Sequence, residues 1–332
     1  MMAPRISVLM PCFNHGAFIG EAIESVRGQT AQDFEIIVVD DGSTEAVTID
    51  TLSRLTPPIR VLTTPNQGLP AARNHAAAHA SGALFCALDA DDKLASTWFE
   101  KAIRVLDDRP NVAFVSHWLE TFGDEHWTWK PEQCDLPSLL ARNAVNGAAL
   151  VRREAFEAVG GYDASMREGC EDWDFWLRLV ERGFEGTIVP EVLFYYRRRQ
   201  DSMSRTMLEE ARYRRPLETL IGKHADAYRA HLTDVLVTKE AETQGLAREI
   251  ALLERDRILS LEPALRRARE ELEAVSAKAE RARAWRALEE ENQRLAWKAT
   301  ELERQVTDLH GSWSWRITAP LRGLYSMLRG RR

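Results

Sequence analysis

Residues 34–44 read FEIIVVDDGST: a β-branched run, Phe34–Val39, closed at once by Asp40-Asp41-Gly42-Ser43. Such a run fits a pleated strand, and the Asp-Asp-Gly-Ser that follows fits a tight turn. The same grammar repeats on either side. Upstream, Ile6–Met10 is a short apolar run stopped by Pro11, and Phe18–Arg27 places Phe18, Ile19, Ala22, Ile23 and Val26 at helical spacing. Downstream come a third short strand, Arg60–Thr63, and an Ala-rich helix, Leu69–Ala80. A fourth strand, Leu84–Leu88, ends in Asp89-Ala90-Asp91-Asp92, followed by a helix over Trp98–Leu106 and a strand at Val112–Val115. Strands alternating with helices predict an α/β fold, a mostly parallel sheet with helices on both faces. Ligands of such sheets sit beyond the carboxyl ends of the strands, where both acidic clusters fall.

The 332 residues suffice for one large α/β domain plus further elements. A 45% hydrophobic share fits a packed core, and the net charge of -7 argues against a protein that coats nucleic acid. The four cysteines, Cys12, Cys86, Cys134 and Cys170, form no CxxC pair and read as free thiols of a reducing cytosol. The N-terminus reads as a first strand, not a signal peptide. No apolar run reaches the ~18 residues of a transmembrane helix.

From residue 233 the character changes. Gly and Pro nearly vanish, and Leu261, Leu265, Ala268, Leu272, Val275, Ala279 and Ala282 step by 4 and 3. After a phase slip, Leu288, Asn292, Leu295, Ala299, Leu302, Val306 and Leu309 step likewise. That is a heptad seam, so a coiled coil and a homo-oligomer built on it are expected, with Asn292 setting register. A single solvated helix folded back on the domain would read similarly. Pro263 points to a helix break or the start of a new helix, and the slip to a stammer. The boundaries expected are 1–205 for the α/β domain, 206–232 for a helical connector, 233–310 for the coiled coil and 311–332 for a tail. The tail carries Arg316, Arg322, Arg329, Arg331 and Arg332, no acid, and apolar Ile317, Leu321, Leu324 and Leu328 on one helical face. It suits either an anionic membrane surface or a dock on its own protein.

Four stretches carry chemistry. Asp40 and Asp41, past a strand, can accept hydrogen bonds from a base or a ribose, although a turn alone explains DDGS. Asp89 and Asp91, at i and i+2 past another strand, can address a ribose and a hard cation that stabilises a leaving diphosphate. Glu171-Asp172-Trp173-Asp174 opens a helix. A carboxylate there can serve as general base, with Trp173 and Trp176 as flat faces for sugar rings, or it can simply favour the helix dipole. In Asn66-Gln67-Gly68-Leu69-Pro70-Ala71-Ala72-Arg73, Arg73 lies one turn into a helix, where it can reach a phosphate or hold the acidic clusters.

Taken in order, ISVLMPCFNHGAFIGEAIESVRGQT, FEIIVVDDGST, NQGLPAARN, LDADD, NGAALVRREAFEAVGGYD and EDWDFWLRL make residues 5–205 resemble glycosyltransferase family 2. That family comprises inverting enzymes of the Rossmann-like GT-A fold. The resemblance implies a nucleotide-sugar donor, a saccharide or lipid-linked saccharide acceptor, and Mg²⁺ or Mn²⁺. By residue it implies Pro11, Cys12, Phe13 and Asn14 bordering the nucleobase, and Asp40 or Asp41 binding it, with uracil the expected base. Asn66, Gly68, Glu171 and Trp173 belong to the same donor site, and Arg73 would help hold the nucleotide. Asp89 and Asp91 would be the metal pair, Asp172 the base, and Gly147 would approach the donor sugar. Many relatives carry Tyr-Arg-x-His where this chain has Tyr196-Arg197-Arg198-Arg199. Arg199 cannot ligate a metal, but it can bind diphosphate.

The expectation is therefore an inverting glycosyltransferase working in bacterial cell-surface polysaccharide synthesis. It would be cytoplasmic, with a peripheral position at the inner face of the cell membrane as the second expectation. The Ser314–Arg322 phrase, similar to tails of bacterial polysaccharide-associated glycosyltransferases, points the same way. Two rivals stand beside it. A nucleotidyltransferase would want a Gly-rich triphosphate loop that residues 5–15 lack. A coiled-coil scaffold with a degenerate transferase domain would not hydrolyse donor.

Overall fold

The structure is a computed structural model that describes residues 4–199, 210–281 and 285–311. The chain divides into two compact units, one running to Leu236 and the other starting at Val237. In the first unit, β1 (Ile6–Cys12), β2 (Phe34–Asp40), β3 (Arg60–Thr63) and β4 (Leu84–Ala87) form a parallel block in the order β3-β2-β1-β4. The sheet continues through β8 (Leu150–Arg152), β6 (Val112–Gly123), β9 (Glu185–Arg198) and β5 (Lys93–Leu94), with β7 (Thr128–Trp129) beside β6. This second half is mixed. β8 runs antiparallel to both β4 and β6, while β9 runs parallel to β6. The expected strand at Val112–Val115 extends to Gly123, and the 14-residue β9 was not foreseen. Its apolar pieces, Ile188-Val189 and Val192–Tyr196, are split by Pro190-Glu191, which hides a single long strand in the sequence.

The β1 and β2 side chains explain the continuous apolar runs. Leu9, Ile37 and Val39 enter one core cluster, while Ile6, Val8, Met10, Ile36 and Val38 enter the other. A strand covered on both faces needs no polar alternation. On one face pack α3 (Leu69–Ala78), α5 (Leu136–Ala141), α6 (Arg153–Ala158) and α7 (Glu171–Glu181). On the other pack α1 (Ile19–Arg27) and α4 (Trp98–Asp108) through Ile19, Ile23, Val26, Trp98, Phe99 and Leu106. The short α2 (Ala46–Ser53) follows the turn after β2. The expected α/β fold with helices on both faces is what the chain adopts. Beyond residue 209, α8 (Glu210–Lys223) and α9 (Ala225–Ala230) follow, and Leu220 and Val235 are buried in the α7-side core.

The second unit consists of most of α10 (Leu232–Arg281) and α11 (Trp285–Gly311). Arg269 and Glu303 form an ion pair although they are 34 residues apart. In one straight helix that separation would span about 51 Å, so the chain reverses between α10 and α11. Ala268, Leu295 and Ala299, all members of the expected seams, are buried. The seams therefore lie on two antiparallel helices of one chain rather than along one continuous coil. Pro263 sits inside α10 without ending it. It removes one hydrogen bond, and the strong helix formers around it carry the helix through. The described helices end at Arg281 and resume at Trp285, and residues 282–284, where the phase slip begins, lie outside the described residues. So does the basic tail from residue 312 on, and with it the expected membrane contact. Among the described residues no helix is long and apolar enough to cross a membrane.

Candidate active site

A cavity of about 770 Å³ opens beyond the carboxyl ends of β1, β2 and β4. Its wall includes Pro11, Cys12, Phe13, Asp41, Asn66, Gly68, Arg73, Asp89, Asp91, Gly147, Glu171, Asp172 and Arg199, thirteen of the sequence-expected residues. The parallel register aligns Cys12 with Asp40 and Leu9 with Ala87. The turns after β2 and β4 therefore flank the Pro11–Asn14 segment that leaves β1.

The first acidic turn is fastened internally. Asp40 Oδ1 accepts from the Ser43 N–H at 2.9 Å. Asp41 accepts from the N–H groups of Gln67 and Gly68 at 2.9 and 2.8 Å, and from the Thr64 hydroxyl at 3.3 Å. Asp41 thus shapes the 64–68 loop that walls the cavity, while Asp40 does not line it. Asn14 does not line it either. Its Oδ1 accepts from the N–H groups of Thr44 and Glu45 at 2.8 and 3.1 Å, satisfying donors at the start of α2. Phe13, 43% exposed in the wall, is the aromatic surface the Pro11–Asn14 segment does present.

The second turn and the Glu-Asp pair meet through one buried guanidinium. Arg73 donates from Nη2 to Asp89 and from Nη1 to Glu171, both at 2.8 Å, and its guanidinium lies 5.2 Å from the Tyr162 ring centroid. Of the two roles open to it in sequence, Arg73 thus performs the second, holding the acidic clusters. Gly147 lets this happen: a Cβ there would lie 3.3 Å from Arg73 Nη2. Asp172 Oδ2 accepts from Asn143 Nδ2 at 3.2 Å, and its Oδ1 accepts from the Trp173 N–H. Burial raises the pKa of Asp172 and pushes Glu171 up to about 7, against the pull of Arg73. Burial also lifts Asp91, and it lifts Asp92 well above the usual carboxylate range.

Trp173 is turned inward. It is 5% exposed, donates from Nε1 to the Leu139 carbonyl at 2.6 Å and does not line the cavity; Trp176 is fully buried. Neither offers a face to a sugar, because the apolar stripe of α7 points into the core. Besides Phe13, the cavity's aromatic side chains are Trp127, Trp129, Phe194 and Tyr196. The wall also holds His15, Asn143, Arg167 and Arg197, which the sequence reading passed over. Arg167 reaches Asn66 Oδ1 at 3.2 Å from 101 residues away. No local pattern announces such a contact.

The expected Mg²⁺ or Mn²⁺ finds a poor donor set. Asp89 is held by Arg73, and the Asp91 oxygens face Arg199 Nη2 at 3.4 Å and His15 Nδ1 at 3.8 Å. Among the described residues no three His, Cys, Asp or Glu side chains converge on one point, so the protein alone offers no closed cage for an ion. These residues do not build a site fitted to a divalent ion.

Residues 7–161 match the family described as Glycosyl transferase family 2. An uncharacterized glycosyltransferase of Haemophilus influenzae is 29% identical over 184 residues, covering 53% of this chain and 62% of the relative. The putative glycosyltransferase EpsE of Bacillus subtilis is 27% identical over 212 residues, covering 61% of this chain and 76% of the relative. A PGL/p-HBAD biosynthesis glycosyltransferase of Mycobacterium bovis is 27% identical over 230 residues, covering 67% and 88%. The chain thus spans less than two thirds of the length of the Haemophilus relative. Among solved structures, S. aureus TarS 1-349 in complex with UDP-GlcNAc aligns with a TM-score of 0.51 at 19% identity, over 60% of each chain. The complex of the same protein with UDP aligns at 0.50 and 18%, over 66% of this chain and 71% of that one. That likeness concerns the fold. Residues 7–161 thus resemble glycosyl transferase family 2, and the sheet that carries them is of the GT-A type.

Proposed function

We propose that this chain is an inverting glycosyltransferase that moves a sugar from a nucleoside diphosphate sugar, with UDP the favoured nucleotide, to a hydroxyl acceptor. The observation that carries the reading is one cavity holding the Pro11–Phe13 segment, the Asp89–Asp91 turn and the buried Asp172 together. A nucleotide beyond β1 and β2 presents its diphosphate to the turn after β4. Asp172, its carboxylate oriented by Asn143 and the Trp173 N–H, takes the acceptor's hydroxyl proton. The acceptor oxygen then bonds to the anomeric carbon as the bond from that carbon to the β-phosphate oxygen breaks, and the electron pair leaves with the diphosphate. A pKa raised by burial makes Asp172 a stronger base than an exposed Asp. No step is assigned to Mg²⁺ or Mn²⁺, given the donor set around Asp91.

A saccharide or lipid-linked saccharide acceptor fits the aromatic side of the cavity, where Trp127 is 45% exposed. A biosynthetic role is favoured by the name of the mycobacterial relative, and bacterial cell-surface polysaccharide synthesis is the role proposed. Cytoplasmic placement, self-association through the C-terminal helices and contact of the tail with the membrane complete the proposal. The decisive experiment is a melting-temperature screen of nucleoside diphosphates, since a ligand of the native state raises that temperature. It is followed by donor turnover with an extract of cell-surface saccharides. UDP raising the melting temperature and donor consumption that depends on acceptor support the reading; a flat response to every nucleotide ends it.

A further inference from the structure

With Asp89 held by Arg73, Asp91 is the acidic side chain of the turn after β4 nearest the remaining cations. Arg199 Nη2 lies 3.4 Å from Asp91 Oδ2, and His15 Nδ1 lies 3.8 Å from Oδ1. Arg199 Nη2 also sits 3.1 Å from His15 Nε2. A guanidinium only donates, so His15 Nε2 accepts there, and the ring hydrogen of the neutral imidazole sits on Nδ1, on the Asp91 side. Both contacts to Asp91 are longer than the 2.7–2.9 Å typical of a charge-assisted hydrogen bond. The carboxylate steers the two groups without clasping them.

The pair is held from behind. Arg199 stacks on Phe18, Cζ to ring centroid 4.6 Å, and Arg197 stacks on the same ring at 4.9 Å. His15 meets Phe18 edge-on at 6.2 Å. Arg197 is itself tied down: its Nε donates to the Asp91 carbonyl, and its backbone N–H to Asp92, each at 2.8 Å. Positions 197 and 199 share one side of the extended chain leaving β9, so the strand delivers both guanidinium groups to Phe18. His15 and Arg199 both line the cavity.

We propose that Arg199 and His15 form a side-chain clamp for the donor's diphosphate, letting the nucleotide bind without a divalent metal. This rests on the nucleotide-sugar reading above. Arg supplies a planar fork of N–H donors that matches phosphate oxygens, and His15 Nδ1–H adds another. As the glycosyl bond breaks, the charge arriving on the diphosphate meets donors already in place. Asp91 becomes the positioning residue of the clamp. An ion bound at Oδ2 would have to sit within about 5.5 Å of the guanidinium, a like charge held there by Phe18.

The test is calorimetric titration of UDP, GDP, ADP, CDP and dTDP, with inorganic pyrophosphate as a probe that ignores the base, in EDTA and in Mn²⁺. The expected result is a nucleotide whose affinity differs by less than threefold between the two buffers. Arg199→Ala weakens it about tenfold in EDTA, the loss of one charge-assisted hydrogen bond. Arg199→His binds nucleotide about tenfold more tightly in Mn²⁺ than in EDTA, because an imidazole can ligate where a guanidinium cannot, and Mn²⁺ paramagnetic resonance shows the ion bound. Arg199→Lys, which keeps the charge, and circular dichroism of each variant separate a lost contact from a lost fold. Wild-type binding confined to Mn²⁺, or unchanged affinity in folded Arg199→Ala, overturns the clamp alone. Binding of no nucleotide in either buffer overturns the donor reading and the clamp with it.

Discussion

Arg73 and Glu171, 98 residues apart in the chain, meet at 2.8 Å in the floor of the cavity, and the same guanidinium holds Asp89 at 2.8 Å. Arg73 is 3% exposed. One buried cation thus ties the turn after β4 to the first turn of α7, and the spacing between Asp89 and the Glu171-Asp172 pair depends on it. Replacing Arg73 by Met leaves the carboxylates without their counter-charge, an effect on the order of 3–5 kcal/mol. Arg73→Lys recovers part of it, since an ammonium cannot fork to two partners as a guanidinium does. The urea midpoint reads this directly, and an unchanged midpoint in Arg73→Met would remove the strut.

Asp172→Asn keeps the size and the Asn143 contact but cannot take a proton. Transfer should fall by roughly 10²–10⁴, while the affinity for nucleoside diphosphate stays within about twofold. Turnover equal to wild type would take Asp172 out of the base role. A parallel loss of nucleotide binding would make it a structural residue instead.

Asp41 and Gly42 test the first acidic turn. Asp41→Ala strips the 64–68 loop of its acceptor and should cost about 2–3 kcal/mol. Gly42 has φ +75°, and a Cβ there would lie 2.8 Å from the Asn66 backbone nitrogen. Gly42→Ala should therefore cost about 1–3 kcal/mol. Both variants should also weaken nucleotide binding, because the loop they disturb walls the cavity. Unaltered nucleotide affinity in a measurably destabilised Asp41→Ala would place the base elsewhere.

His117 gives the fold an acid limb. Fully buried beside Trp98, at 4.2 Å between ring centroids, it has a pKa lowered by burial from 6.5 to about 4. Between those values the unfolded chain binds the proton and the folded one does not. The stability His117 contributes is complete above pH 6.5 and drains away as pH falls through 4, about 3 kcal/mol in all. Denaturation midpoints at pH 7 and 4.5 should show the drop, and His117→Gln should flatten it. A variant with the wild-type slope would assign the acid limb to other groups.

Residues 34–44 and 84–92 disclosed their strand-and-turn structure unaided, because strand burial and chain-terminating turns are local matters of period and residue type. That local logic determined the α/β layering, the strand-end position of Asp40, Asp41, Asp89 and Asp91, and the helices on either face. It did not reach side-chain direction or pairing across the fold. Trp173 reads like a sugar platform, yet the apolar stripe of α7 carries it into the core. Asn14 reads like a nucleobase contact, yet it is spent at the start of α2. The heptads from 261 to 309 scan as a seam with one phase slip, and only the Arg269–Glu303 pair shows that its two runs lie on helices folded against each other. Arg73 against Glu171, and His15 beside Arg199 and Asp91, were decided by packing in three dimensions. Arg73 and Glu171 stand 98 residues apart in the chain, and His15 and Arg199 stand 184 apart; only the stacking of β1, β4, α7 and the end of β9 brings them together.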